Sequence, residues 1–432
     1  MSQSTVFFRL PSYRTIWRWH FYAGLYCVPF VLLLSLSGAV YLFKPQFESW
    51  TQRPYDTLPV HGSPYKPSEI VKAAEAENPG SAFRFYEVPS GPGSAARIML
   101  IKNSGRLRTY VDPQTLQIVH SVREDEELMQ LVKKLHSELL LGDRGSLFVE
   151  LAACWTVILL LTGLCLWWPR NSQSLAGVLY PRLRSGSKIL WRDLHSVTGI
   201  WISGLALMLV LTGLPWAGVW GDYFKSVRSL TGTAAARPTW TTRSAFGDQP
   251  PAEGFVVEEL DLVVDAVLPL NLPHPVQISP PAGKTTVWTV ASQTPNRPQR
   301  VTLAVDGKTG EILSKHGFAD LHVIDKAVNT GIALHEGQLF GWPNQLLGVF
   351  AALGLALLSG SGVVMWWRRR EPGVLGAPEP SALKGLSLFT VSLVTILGIA
   401  MPVFGLSLLF VLALEKLLFA RWLSARHWLG LT

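Results

Sequence analysis

A chain of 432 residues in which 48% are apolar, only 16% are charged and 17 are tryptophan is not composed like a water-soluble protein. Its formal charge of +8 does not mark a nucleic-acid binder, because the two long polar segments are near neutral: 44–146 holds 13 basic and 13 acidic residues, 221–341 holds 10 and 12. The excess lies in short stretches (Arg9, Arg14 and Arg18; Arg170, Arg182, Arg184, Lys188 and Arg192; Arg368, Arg369 and Arg370), a distribution that marks the cytoplasmic side of a membrane protein.

The first apolar run, 21–43, is long enough to cross a hydrocarbon core of about 30 Å, which takes roughly 20 helical residues. No small-residue cleavage site follows it, so 1–43 reads as a cytoplasmic N-terminus and a retained span. The polar segment 44–146 reads as α+β. Pro67-Ser68-Glu69 opens a helix with Ser68 as N-cap, ending near Asn78-Pro79-Gly80. Alternating runs at 97–102 and 107–111 lead through a turn at Asp112-Pro113 to a strand at 117–122.

Segment 147–220 holds span 2 (147–168), a basic loop and span 3 (197–219). Segment 221–342 reads as a second α+β domain, with a helix at 257–267, strands at 276–279, 286–291, 301–305 and 311–314, and a turn at Asp306-Gly307. Span 4 lies in 343–370. In 371–432 an apolar stretch, 386–420, is interrupted by Pro402 and reads as a hairpin of two spans, six in all, with one long tilted helix as the alternative. Arginine placement puts the N-terminus inside and both polar segments in the periplasm, so the protein is expected to be multi-pass in a bacterial inner membrane. Cys27, Cys154 and Cys165 all lie in apolar runs without C-x-x-C spacing and read as buried structural thiols.

The chain repeats itself. His20 precedes Gly24 by four residues and Gly38 by 18; His195 precedes Gly199 by four and Gly213 by 18. His136 precedes Gly163 by 27 and Trp167-Trp168 by 31; His335 precedes Gly362 by 27 and Trp366-Trp367 by 31. The unit of span, polar domain and span is used twice in the same orientation, which implies a pseudo-two-fold axis along the membrane normal. The fold class is therefore an α-helical integral membrane bundle, four repeat spans plus a C-terminal hairpin, with two small periplasmic α+β domains.

That axis brings His20 opposite His195 at the cytoplasmic end and His136 opposite His335 at the periplasmic end. Ionisable side chains in a membrane are costly and are functional candidates, and neutral imidazole ligates iron, copper and zinc. Two facing imidazoles between helices, with Gly24, Gly38, Gly199 and Gly213 admitting a flat macrocycle, suit an axially ligated haem; without C-x-x-C-H it would be non-covalent and b-type. Histidines at helix starts beside Trp19 or Trp191 are also interfacial anchors, a reading that four histidines in two symmetric pairs weaken. The other six (His61, His120, His274, His316, His322 and His427) read as surface residues. The Trp-Trp pairs read as interfacial belts, Ser359-Gly360-Ser361-Gly362 as helix packing, and Glu150 as a capped carboxylate or a proton relay.

At these residues the chain resembles the PepSY-associated transmembrane helix family, the group that includes iron-regulated inner-membrane proteins and ferric-siderophore reductases such as the ferrioxamine reductase. The resemblance rests on 17–24 (W-R-W-H-F-Y-A-G), 135–142 (L-H-S-E-L-L-L-G) with Thr162-Gly163 and Trp167-Trp168-Pro169-Arg170, 191–199 (W-R-D-L-H-S-V-T-G), and 334–341 (L-H-E-G-Q-L-F-G) with Trp366-Trp367-Arg368. The polar segments resemble PepSY domains, and 401–407 (M-P-V-F-G-L-S) resembles the family's C-terminal region. The resemblance implies electron transfer through two b-type haems to a periplasmic ferric siderophore. His20 and His195 would ligate the cytoplasmic-side haem, His136 and His335 the periplasmic-side one. One departure is that Pro215 and Trp216 follow Gly213 where Ala39 and Val40 follow Gly38. The electron donor is not encoded here; a cytoplasmic reductase or the quinol pool would serve. The rival readings are a transporter, and a periplasm-facing binding or regulatory membrane protein without cofactor.

Overall fold

The computed structural model describes residues 11–102, 105–169, 174–234, 251–252, 254–283, 285–380, 386–419 and 421–431. Arg9 and Arg170, two of the basic residues used above for topology, lie outside the described residues. The chain divides into two compact units: Met1–Val40, Lys134–Leu230 and Leu346–Thr432 form the first, and Tyr41–Lys133 with Thr231–Gln345 form the second.

The first unit is helical, and among the described residues five helices are long and apolar enough to cross a membrane. They are α1 (Tyr13–Tyr41), α5 (Asp143–Trp167), α6 (Ser187–Gly213, continued by a 3₁₀ turn over Leu214–Trp216), α10 (Trp342–Arg369) and the final one, α12 (Pro402–Leu414) with a π-turn over Glu415–Phe419. α1 and α6 begin eight and ten residues before the apolar runs that announce them. Arginine, tryptophan and histidine lower the hydropathy of those first turns without breaking the helix. His20 and His195 therefore sit about two turns inside their helices rather than at the ends.

The C-terminal stretch breaks where Pro402 announces it. α11 (Leu388–Ala400) ends at Met401, and Pro402 opens α12. The chain folds back there: a Cβ on Gly405 would stand 2.7 Å from the Gly398 carbonyl oxygen, a separation possible only if the two helices touch backbone to backbone. At 13 residues α11 is about 20 Å long, short of the ~30 Å core, so among the described residues five helices, rather than the expected six, are of spanning length.

Between spans 1 and 2 the chain passes through α2 (Lys44–Gln52) and later enters α4 (Leu128–Glu138), which carries His136. Leu139, Leu140 and Gly142 then take positive φ of 52°, 60° and 60°, turning the chain into α5. A left-handed leucine is uncommon, and nothing in the sequence flags two of them. A Cβ on Gly145 would overlap the Glu138 carbonyl, so this turn requires glycine there. In the first unit Glu150 of α5 accepts the backbone N–H groups of Val219 (2.9 Å) and Trp220 (3.0 Å), capping α7 (Gly218–Leu230). Glu150 is thus a capped carboxylate, and its environment gives no support to the proton-relay alternative.

The second unit corrects the expectation of two separate small domains. Strands β1 (Ala82–Glu87), β2 (Ala96–Lys102), β3 (Gly105–Val111), β4 (Ile118–Arg123), β5 (Val276–Ser279), β6 (Val287–Ser292), β7 (Val301–Asp306) and β8 (Ile312–Gly317) form one antiparallel sheet in the order β4-β3-β2-β1-β5-β6-β7-β8. The two halves join where β1 pairs β5, at Tyr86↔Ile278 and Glu87↔Gln277. β1 was not named from the sequence; its burial pattern is continuous rather than alternating, as befits a strand at the centre of a sheet. Helices α3 (Pro67–Glu77) and α8 (Glu259–Val267) pack Ile70, Val71, Leu260 and Val263 into one core with Ile98, Ile278, Trp288 and Val305. A shared core explains the merger: each half alone would bury only one helix on four strands.

Ser68 is not the N-cap expected of it. Lys66 is, with Pro67 in the first turn, where its fixed φ suits the helix. Ser68 instead donates its N–H and hydroxyl to the carboxylate of Asp261, each at 2.8 Å, tying α3 to α8. The two hairpin turns match, Asp112 accepting from Gln114 N–H and Asp306 from Lys308 N–H.

A paired-imidazole cavity as the candidate functional site

His20 on α1 and His195 on α6 face one another, with ring centroids 6.3 Å apart and planes at 90°. Two imidazoles binding one first-row metal in line at about 2.0–2.1 Å, each ring centre roughly 1.1 Å behind its nitrogen, stand about 6 Å apart. The pair is spaced as axial ligands are.

Each ring has its tautomer set by the next span of its own repeat. The Nδ1 of His195 lies 3.1 Å from the Leu358 carbonyl oxygen, which can only accept, so Nδ1 carries the proton and Nε2 keeps its lone pair. Ser361 on α10 accepts from the same Nδ1 at 3.1 Å while donating its own hydroxyl to Leu357 at 2.6 Å. Thr162 on α5 does the same for His20: its hydroxyl donates to the Ile158 carbonyl at 2.6 Å and accepts from His20 Nδ1–H at 3.0 Å. Such partners on the far nitrogen are the usual support of a ligating histidine.

His136 is braced in the opposite sense. Ser37, near the other end of α1, donates to Leu33 at 2.8 Å and accepts from His136 Nδ1–H at 3.0 Å. Ser37 lies 17 residues beyond His20, about 26 Å along the helix. Within one repeat, then, span 2 steadies the histidine of span 1, and span 1 steadies the histidine preceding span 2. His335 belongs to the second unit, as the last residue of α9 (Val323–His335), whose end is held by Asn344 Nδ2 donating to the Leu334 carbonyl at 2.9 Å. The turn after it uses Gly337 (φ 71°) and Gly341 (φ 66°). Arg297 and Arg300 stand nearby in that unit; burial pushes Arg300 down to about 10, Arg297 adds to the effect, and Glu336 opposes it.

The glycines act differently from the expectation that they admit a macrocycle. Gly24 and Gly199 do line the cavity, but Gly38 lies against His136, where a Cβ would come within 3.0 Å of Cε1. Gly163 and Gly362 lie likewise against His20 and His195, where a Cβ would stand 3.3 and 3.6 Å from Cε1. The Ser361-Gly362 pair thus seats an imidazole, beyond the helix packing read from the sequence.

The cavity between α1, α5, α6 and α10 has a volume of about 1790 Å³, above the roughly 300–1,000 Å³ of ordinary small-molecule pockets. Its walls are apolar around both histidines. Its mouth carries Arg182, Lys188, Arg192, Arg368 and Arg369, and no acidic residue lines it among the described residues. The Trp-Trp pairs divide their work. Trp168 and Trp367 are exposed, as belt residues are, but Trp167 and Trp366 donate their indole N–H to the loop carbonyls of Val178 (3.0 Å) and Leu375 (2.8 Å). Trp167→Phe is expected to loosen the loop at 174–186 without unfolding α5, measured as faster trypsin cleavage after Arg182 or Arg184.

Among the described residues no three His, Cys, Asp or Glu side chains converge on one point. Two opposed imidazoles in an apolar slot therefore suit a metal that brings its own equatorial ligands, the arrangement of a haem. A family model described as the PepSY-associated TM region matches residues 17–369, which takes in all four histidines. No curated protein matches the chain.

Proposed function

The chain belongs to the PepSY-associated transmembrane family, and on that premise we propose that it is an inner-membrane dihaem b-type electron-transfer protein that reduces ferric siderophores in the periplasm. The observation that carries this reading is the His20–His195 pair, 6.3 Å between ring centres in an apolar cavity, with both Nδ1 protons engaged. His20 and His195 would hold one haem; the repeat assigns His136 and His335 to the second. Arginine and lysine at the mouth of the His20–His195 cavity support placing that end in the cytoplasm.

When bound, haem supplies a one-electron carrier whose potential is set by its axial ligands and burial. The chain's own groups do the rest. Thr162 and Ser361 accept the Nδ1 protons, which leaves each Nε2 with the lone pair a metal would take, and Gly163 and Gly362 let the rings lie against the helix backbone. The apolar walls exclude water. Siderophores hold ferric iron through hard anionic oxygens, which bind ferrous iron less well, so one electron releases the metal and leaves the chelator intact. The donor would be a cytoplasmic reductase or a quinol.

The test is an absorption spectrum of the detergent-purified protein, oxidised and dithionite-reduced, with a pyridine haemochrome count. About two b haems per chain with low-spin bands is the expected result; a colourless protein from haem-replete cells would overturn the reading. The seats give a graded check. Gly38→Ala forces a 3.0 Å contact on His136 and is expected to lower bound haem, whereas Gly362→Ala makes an ordinary 3.6 Å contact with His195 and is expected to retain it. Equal haem contents in the two variants would remove the argument from the seats.

A further inference from the structure

We infer that the cationic mouth of the His20–His195 cavity is a carboxylate-binding subsite that fixes which edge of the porphyrin enters first. The inference rests on the haem reading above and concerns how this chain's own side chains orient the ring.

The two ends of the cavity differ in kind. Its deep end is lined by Val31, Thr156, Ser203 and Leu355, none of them charged. Its mouth holds five cations and no acid among the described lining residues. A porphyrin of the b type is apolar on one edge and carries two carboxylates on the other. An ionised carboxylate placed at the deep end would be desolvated with no partner, a penalty that is avoided when the carboxylate edge lies at the mouth. Only the orientation with the carboxylate edge at the mouth satisfies both ends.

The cations are placed to receive it. Arg192 and Lys188 precede His195 by three and seven residues, about 4–5 and 10 Å above the imidazole level on a helix rising 1.5 Å per residue. Across the cavity the Arg369 guanidinium lies 4.8 Å from the ring centre of Trp17 and 5.4 Å from that of Phe21, beside His20. Arg368 donates to the Ser187 hydroxyl at 2.5 Å, next to Lys188. Asp193, next to Arg192 in the chain, is fully buried and already held by Arg182, through Nε at 2.8 Å and Nη2 at 2.9 Å, as well as by Arg192. Arg192 can therefore turn to a ligand without leaving Asp193 unpaired. Cations on both sides of the mouth match two carboxylates on one edge.

The experiment is a titration of the full chain, stripped of haem in detergent, with ferric protoporphyrin IX and with its dimethyl ester, which keeps the ring and removes both charges. The absorbance step belonging to this cavity is the one lost in His20→Ala. The free acid is expected to bind that step more tightly than the ester by roughly ten- to a hundredfold, the worth of charge-assisted hydrogen bonds. The preference is expected to shrink in K188Q/R192Q and in R368Q/R369Q, and to disappear when the pairs are combined, while ester binding stays as in wild type. Equal affinity for acid and ester in the wild-type chain would overturn the subsite and leave the ligation by His20 and His195 standing. If neither porphyrin gives a bis-imidazole spectrum, the haem reading itself fails, and this inference with it.

Discussion

Replacing His20 with alanine is expected to take the haem count from about two per chain to about one, with the remaining haem keeping its low-spin spectrum. The size of the effect follows from geometry. The ring of His20 meets only one opposed imidazole, that of His195 at 6.3 Å, and among the described residues no third His, Cys, Asp or Glu converges there to replace it. His195→Ala is expected to give the same loss, and the double variant no more than either, because both residues serve one metal. His136→Ala and His335→Ala are expected to remove the other haem. His120→Ala is the control: its ring stacks on Tyr55 at 5.0 Å in the sheet unit and is expected to leave both haems in place. A haemochrome count with reduced-minus-oxidised spectra checks the whole series, and an unchanged count in His20→Ala would end the ligand assignment.

The second large effect is expected from a residue that is not itself a proposed ligand. Thr162→Val keeps the shape of the side chain and removes the oxygen that accepts His20 Nδ1–H at 3.0 Å. A buried donor left without its acceptor costs about 1–3 kcal/mol, and loss of such a supporting partner typically weakens metal binding by about 10–100-fold. The imidazole also becomes a poorer donor of electron density, which disfavours the ferric state, so the midpoint potential of one haem is expected to rise while the other stays. Thr162→Ser keeps the acceptor and is expected to restore both. A redox titration with both variants separates the two cases; if valine and serine behave alike, the hydrogen bond has no part in ligation.

Much of this arrangement is written in residue spacing. The shared offsets of His20 and His195, and of His136 and His335, disclose the repeat, and apolar run length discloses the four spans it contains. The supporting hydroxyls keep the same register, Ser361 lying 199 residues after Thr162 as His335 lies after His136, yet spacing alone does not single them out. Serine and threonine in an apolar helix usually bond back to their own backbone, and these do so as well, so nothing local distinguishes them. Helix starts were placed late because hydropathy measures preference for lipid and is blind to helix geometry in the headgroup layer. The joining of two α+β segments into one sheet escaped for another reason. Pairing between β1 and β5 joins residues at least 190 positions apart, and alternation within a strand says nothing about its neighbour.

The seam between β1 and β5 bears on ancestry. A chain of half this length, holding one copy of the repeat, would carry β1 as a bare edge whose strand is buried here on four of its six residues. It would also carry only one imidazole of the His20–His195 pair. Two such chains set edge to edge, each supplying four strands, are the smallest assembly that covers that edge. Two copies in one chain can differ where two identical protomers cannot: position 18 is an arginine whose guanidinium donates to the Pro378 and Gly430 carbonyls, and its counterpart at 193 is an aspartate clamped by Arg182. An obligate homodimer can make no such distinction between its two ends.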